Sequence, residues 1–245
     1  MSAPERFANW LTLNQHKDRL GHVYHYHPRS DAHSKALAEF IWADFLTVSP
    51  EMEEDFKSRR ITYSVNHKYV WPKSKKPKTI DLAVLARRPS DDGLVLISCE
   101  LKTVMTEHLK SGPRIFDELS SSHEIVHSGD QQALALGVTV VNIASTFVSP
   151  LRQKETSPAP LEVTVHKQPH AAESMVNHLR GLPQRDGAIG VGFDAYCTFI
   201  VDCDNQGPAT LWVEPPAPQP GDADHYDTFL KRVAAAYTER VRKRL

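Results

Sequence analysis

The sequence predicts a mixed α/β domain whose core runs in the order helix, three-stranded antiparallel meander, crossover helix, parallel strand, with helices on the faces of the sheet. Three observations predict it. Apolar residues recur at helical spacing up to about residue 49 and change from Ile61 to the alternating, β-branched and aromatic pattern of strands. Three such runs follow in close succession, the last two joined by the turn RRPSDDG, short enough to make them an antiparallel pair. A further helical segment then separates the third run from a fourth, and a helix between two strands of one sheet makes a right-handed crossover to a parallel neighbour.

The chain can carry a full core. It has 245 residues, 40% apolar and 24% charged, with a net charge of -1, so one domain over 1–245 is expected, folding without disulfide or metal support. That apolar fraction with almost no net charge excludes intrinsic disorder. No run approaches the ~18 apolar residues of a membrane-spanning helix, and MSAPERFANW lacks the basic start and apolar run of a secretory leader. A cytoplasmic protein is the expectation, with no membrane partner. Cys99, Cys197 and Cys203 form no CxxC pair and leave one thiol unmatched, so they read as small buried hydrophobes.

A first helix over about 4–20 places Phe7, Trp10 and Leu11 on one face. Gly21 and His27-Pro28 mark a loop. Asp31 or Ser34 can cap a second helix that runs to about Ser49 with Leu37, Phe40, Ile41, Phe45 and Val48 as its apolar stripe, and Pro50 stops it. The strands follow: ITYSVNHKYVW from Ile61, then 79–86, then 94–102. Ser111-Gly112-Pro113 suits a helix start, so 114–127 reads as the crossover helix and 137–144 as the buried fourth strand. These elements make up a core over about 31–147, and 148–245 reads as peripheral and C-terminal elaboration. Within it, 150–169 is a proline-containing loop, 171–180 a short helix, 188–202 and 209–213 strands, and the last helix carries Tyr226, Phe229, Leu230, Val233, Tyr237 and Val241 at helical spacing.

The residues that carry chemistry are Asp81, Glu100 and Lys102. Side chains alternate along a strand, so Ser98, Glu100 and Lys102 share one face of the third strand while Ile97, Cys99 and Leu101 share the other. In the second strand Ile80, Leu82, Val84 and Ala86 form the apolar face and leave Asp81 opposite. Antiparallel pairing brings Asp81 to the end of the third strand, beside Glu100 and Lys102. Two converging carboxylates raise each other's pKa unless a cation lies between them. Hard oxygen ligands suit Mg2+, which activates water and polarises a phosphoryl oxygen, and Lys102 can orient or deprotonate that water or offset charge on phosphorus.

Asp81, eighteen intervening residues and then Glu100-Leu101-Lys102 resemble the motif of the PD-(D/E)XK nuclease superfamily, and the order of elements resembles its restriction-endonuclease-like core. Ile80 stands where that motif has proline, with Pro77 in the loop before it. The resemblance implies that Asp81, Glu100 and the Leu101 carbonyl hold Mg2+, with Mn2+ able to substitute, and that Lys102 serves the water. It further implies an endonuclease that cuts double-stranded DNA, of the type II restriction class, acting as a homodimer. The alternatives are a noncatalytic nucleic-acid-binding protein that retains the fold, or a repair, mobile-element or RNA-directed nuclease. Glu39, on the helix before the meander, is a further candidate acid.

Lys57, Arg59, Arg60, Lys68, Lys73, Lys75, Lys76 and Lys78 occur with no acidic residue until Asp81, interleaved with Tyr63, Tyr69 and Trp71. Such a run can simply block aggregation at a sheet edge, but a polyphosphate partner accounts for its leading directly into the acidic site. Lys68, Lys73, Lys75, Lys76 and Lys78, with Lys110 and Arg114 near the crossover-helix start, are therefore candidate phosphate contacts. His22, His25, His27 and His33 match no common zinc spacing, and His123 and His127 read as a partly exposed helix face. Replacing Lys73, Lys75 and Lys76 together by alanine is expected to weaken binding to every duplex sequence alike. The slope of log affinity against log salt should flatten by about one for each lost contact, as read in a salt titration.

Overall fold

The computed structural model describes residues 1–18, 20–71, 77–87, 93–151 and 161–245. The first helix, α1 (Ala3–Leu13), starts with a reciprocal cap in which the Ser2 amide donates to Glu5 at 2.6 Å, and it buries Phe7 and Leu11. It ends well before residue 20, because the chain turns into a two-residue ribbon of β1 (His16–Lys17) and β2 (Val23–Tyr24). The helix α2 (Ala32–Val48) buries Leu37, Ile41 and Phe45. Pro50 does not only end it but begins another helix, α3 (Pro50–Lys57), with the Ser49 hydroxyl accepting from the Met52 amide at 3.2 Å. Proline lacks only an amide that the first turn leaves unpaired, so a Ser-Pro pair restarts a helix as readily as it stops one.

The meander consists of β3 (Ile61–Tyr69), β4 (Lys78–Ala86) and β5 (Val95–Val104). After it come α4 (His108–Gly129), β6 (Leu134–Asn142), β7 (Thr146–Val148), β8 (Val163–Val165), α5 (His170–Leu179), β9 (Ala195–Asp202), β10 (Thr210–Trp212) and α6 (Tyr226–Ala236). A π turn over Tyr237–Val241 extends α6. Six strands form one sheet in the order β10-β9-β6-β5-β4-β3. β3, β4 and β5 pair antiparallel, and β6 lies parallel to β5 across the α4 crossover, as the sequence predicts. β9 then adds a further parallel strand and β10 an antiparallel edge.

Alternation along the buried strands sends side chains into two apolar layers. One layer joins Leu82, Val84, Cys99, Val138 and Cys197 to Phe7, Ile41, Phe45 and Phe229 from α1, α2 and α6. The other joins Ala83, Val141 and Ile200 to Ile115, Leu119, Met175 and Val176 from α4 and α5. All three cysteines are buried free thiols. Among the described residues no helix is long and apolar enough to cross a membrane.

Two departures from the sequence pattern bear on the site. Ile80 does not share a layer with Leu82 and Val84 but packs with Trp71 and Leu85 on the other side. Alternation breaks at Asp81, whose position across from β3 is that of Asn66 in a left-handed conformation (φ 54), between the pairs Val65↔Leu82 and His67↔Ile80. The crossover helix also begins at His108 rather than after Pro113, because the buried His108 ring is tied through Nε2 to the Asn142 carbonyl at 2.6 Å. That tether lies outside the reach of local sequence pattern.

At the far end of the sheet a single carboxylate ties several segments together. Asp194, buried just before β9, accepts from the Ala135 amide at 2.7 Å, from Arg185 Nε at 2.9 Å and from Arg240. Arg185 is itself buried and also donates to the Gln131 and Ala133 carbonyls, both at 3.1 Å. Replacing Asp194 by alanine leaves a buried guanidinium without its counter-charge, so Asp194→Ala should cost about 3–5 kcal/mol in urea unfolding. The double variant Asp194→Ala, Arg185→Met should recover part of that loss.

Candidate active site

The site forms where β4 and β5 part. Their ladder ends at Leu82↔Cys99, whereas β5 stays paired with β6 as far as Val104↔Val141. Beyond Cys99 the β5 backbone therefore lacks a strand partner on the β4 side, and an unpaired buried amide is costly. Asp81 supplies the partner: its Oδ2 accepts from the Leu101 amide at 2.7 Å. An extended residue directs its N–H and C=O at the same neighbour, so the Leu101 carbonyl faces the same gap.

Glu100 is buried, at 7% exposure, on the face covered by α4. Its Oε1 lies 2.8 Å from Lys102 Nζ, and its Oε2 lies 3.4 Å from Lys78 Nζ and accepts from Ser122 Oγ at 3.2 Å. Lys102 is also 3.3 Å from Glu118 Oε2, and Glu118 Oε1 is 3.1 Å from Arg114. Lys78, Glu100, Lys102, Glu118 and Arg114 thus form a line of alternating charge from the sheet to the α4 surface.

Burial, and then the neighbouring Glu100, push the Asp81 carboxyl up to about 6, against the Leu101 amide and the two lysines, which pull it down. Burial would raise Glu100 too, but Lys102 and Lys78 outweigh it and hold Glu100 below its ordinary value. For Lys102, burial would lower the pKa, but Glu100, Asp81 and Glu118 raise it. The paired lysines compensate Glu100, while among the described residues no lysine or arginine lies within ion-pair distance of Asp81.

A cavity of about 380 Å³ opens beside these groups, lined by Asp81, Leu101 and Lys102 together with Tyr26, His33 and Arg114. The structure therefore brings together Asp81, Glu100, Leu101, Lys102 and Arg114. Lys78 turns inward onto Glu100 and does not face outward as a phosphate contact of the basic run. Lys68 is exposed on β3, and Lys110 is exposed beside Glu107 at 3.6 Å. Lys73, Lys75 and Lys76 lie outside the described residues.

Glu39 does not join the site. It is exposed and accepts from the Tyr63 hydroxyl at 2.8 Å. His33 and Ser34, from the first turn of α2, do reach the cavity. Glu39, five and six residues further on, falls on roughly the opposite side of the helix at about 100° per residue. Glu118 and Ser122 are the site residues that the sequence reading missed, although with Arg114 they stand at four-residue steps on one face of the crossover helix.

The histidines do not assemble into a metal centre. His22 pairs with Asp18 at 2.9 Å and His25 lies 3.0 Å from the Asn14 carbonyl. His123 and His127, expected to be partly exposed, are buried at 1%, because α4 packs that face inward beside Phe193 and Asp194. Among the described residues no group of three or more His, Cys, Asp or Glu side chains is arranged to hold an ion. The donors at the strand gap are instead two carboxylates and a backbone carbonyl, a set of hard oxygens that fits Mg2+ with water completing its shell. The chain matches no family model, no curated protein and no solved structure.

The raised Asp81 pKa has a sign that can be measured. A carboxyl whose folded pKa lies above its unfolded value contributes stability in full below about pH 4 and loses it as the pH rises through about 6. Asp81→Asn should therefore be more stable than the wild type at pH 8 without divalent ions, by up to about 3 kcal/mol. In melting curves that advantage, several degrees, should shrink as the pH falls toward 4.

Proposed function

We propose that the protein is a divalent-cation-dependent DNA endonuclease with a restriction-endonuclease-like core, hydrolysing phosphodiester bonds at Asp81, Glu100 and Lys102. The observation that carries this reading is the convergence of two carboxylates from adjacent strands, with an ammonium beside them, where the strands part and a cavity opens. A solvated surface ion pair would not need Glu100 buried beneath two lysines and a serine hydroxyl. The six-stranded mixed sheet with helices on both faces is consistent with that core.

In this reading Asp81, Glu100 and the Leu101 carbonyl hold the cation. A bound Mg2+ or Mn2+ ion would supply a Lewis acid for the phosphoryl oxygen and a lowered pKa for the attacking water. The hydrogen bond that the Asp81 carboxylate accepts from the Leu101 amide supports this, because it holds the carboxylate beside that residue's backbone. Lys102, its pKa raised by Glu100, Asp81 and Glu118, is an ammonium at neutral pH. It is therefore no base toward water, and what it contributes is positive charge against the developing negative charge on the phosphoryl oxygens. Arg114, exposed at the cavity mouth, adds a second cation for the substrate backbone.

Purified protein should cleave DNA in Mg2+ but not in Ca2+, and sequencing the ends gives the cut position. Asp81→Asn should abolish cleavage while retaining DNA binding. Lys102→Ala should lose at least ~10²-fold in rate with much less effect on affinity. If both variants, matched to the wild type by circular dichroism, cut at the wild-type rate, the site is wrong. Tight DNA binding with no cleavage under any divalent ion would instead indicate a noncatalytic binder.

A further inference from the structure

The cavity beside Asp81 and Lys102 contains groups that phosphodiester hydrolysis does not use. It extends to Tyr26, His33 and Phe147, with the Tyr26 ring 4.7 Å from the His33 ring and 6.4 Å from Phe147, centroid to centroid. The Tyr26 hydroxyl is tied to Thr103 Oγ1 at 2.8 Å, which anchors that ring one residue past Lys102. His33 Nδ1 is buried and has no hydrogen-bond partner. Burial holds its imidazole down to about 4, so the ring is neutral near pH 7 and offers one donor and one acceptor nitrogen. A buried polar atom left unpaired costs about 1–3 kcal/mol.

The size and chemistry of the cavity restrict what can enter. At about 380 Å³ it falls among small-ligand sites, which span roughly 300–1,000 Å³. A duplex is too wide to enter it, so a base can reach its walls only by leaving the stack. Aromatic rings, a neutral hydrogen-bonding edge and cations at Lys102 and Arg114 correspond to the three parts of a nucleotide: a flat base, a polar base edge and a phosphate.

We propose that this cavity takes one unstacked nucleotide of the substrate, its base among Tyr26, His33 and Phe147 and its phosphate on Lys102, so that the nucleic acid cut here is unpaired at the cut. The inference rests on the nuclease reading and narrows its substrate from continuous duplex to DNA with an extrahelical or single-stranded nucleotide.

The test measures affinity in Asp81→Asn protein without divalent ions, so that nothing is cleaved. Three short fluorescein-labelled DNAs are compared by anisotropy: a fully paired duplex, the same duplex with one bulged nucleotide, and that bulge without its base. The bulged duplex should bind about tenfold tighter than either of the others, within the range that stacking a base on aromatic side chains provides. Adding His33→Ala or Tyr26→Leu should reduce that preference at least threefold and leave affinity for the paired duplex within twofold. His33 lies in the first turn of α2, so His33→Ala decides the matter if Tyr26→Leu fails to fold. Equal affinity for the three DNAs, or a preference unchanged by His33→Ala, overturns the inference. Cleavage of paired duplex by the wild type with no preference among the probes overturns it and leaves the nuclease reading standing. Failure to bind any of the three overturns both.

Discussion

The hydrogen bond from the Leu101 amide to Asp81 is the contact on which the arrangement of the site depends. β5 is a central strand, paired with β6 from Ile97 to Val104 but with β4 only between Val95 and Cys99, where that ladder stops. Where it stops, the Leu101 amide has no strand partner on the β4 side. A carboxylate on β4 satisfies the amide at 2.7 Å, and in doing so it is fixed beside Glu100 and the Leu101 carbonyl. The break in alternation at Asp81, with Asn66 in a left-handed conformation on β3, is the backbone counterpart of that placement. The parting of the strands thus accounts for the cavity, the close approach of the carboxylates and the exposure of backbone oxygen to it.

Bringing two carboxylates together has an electrostatic cost that the fold distributes unevenly. Lys102, Lys78 and Ser122 all serve Glu100, whereas Asp81 receives a single amide and is driven up to about 6. Glu118 and Arg114 then extend the charge alternation to the surface of α4. A structural ion-pair network would be expected to neutralise every member, and this one leaves Asp81 as the uncompensated carboxylate facing the cavity. That asymmetry sets Asp81 apart from Glu100, Lys102, Glu118 and Arg114, each of which has an oppositely charged partner within ion-pair distance.

The opposite end of the sheet has a different character. There Asp194 gathers Arg185, Arg240 and the Ala135 amide into a satisfied network around which β6, β9 and the C-terminal turns are joined. The two carboxylates are both largely removed from water, yet Asp194 is held below its ordinary pKa by its donors while Asp81 is raised. Asp194 has several donors, whereas Asp81 has one amide donor and Glu100 beside it. One end of the parallel strands is fastened and the other is left electrostatically open.

Sequence pattern by itself determined the meander, the crossover helix, the parallel fourth strand, the burial of Cys99, Cys197 and Cys203, and the meeting of Asp81 with Glu100 and Lys102. These follow from periodicities of two and 3.6 residues and from antiparallel pairing, which are local rules acting on adjacent segments. Tertiary structure alone decided the rest. Lys78 turns toward Glu100, a buried carboxylate that draws a second cation besides Lys102, and no charge pattern along the chain encodes that direction. Glu39 faces Tyr63, because the angular position of α2 on the sheet is set by packing of Leu37, Ile41 and Phe45. The cavity walls come from segments as far apart as Tyr26, Arg114 and Phe147, and His33 joins them only once α2 has docked. Proximity between residues so distant in sequence is a property of the assembled core, since each segment can be read locally while their mutual orientation depends on every layer packed against them.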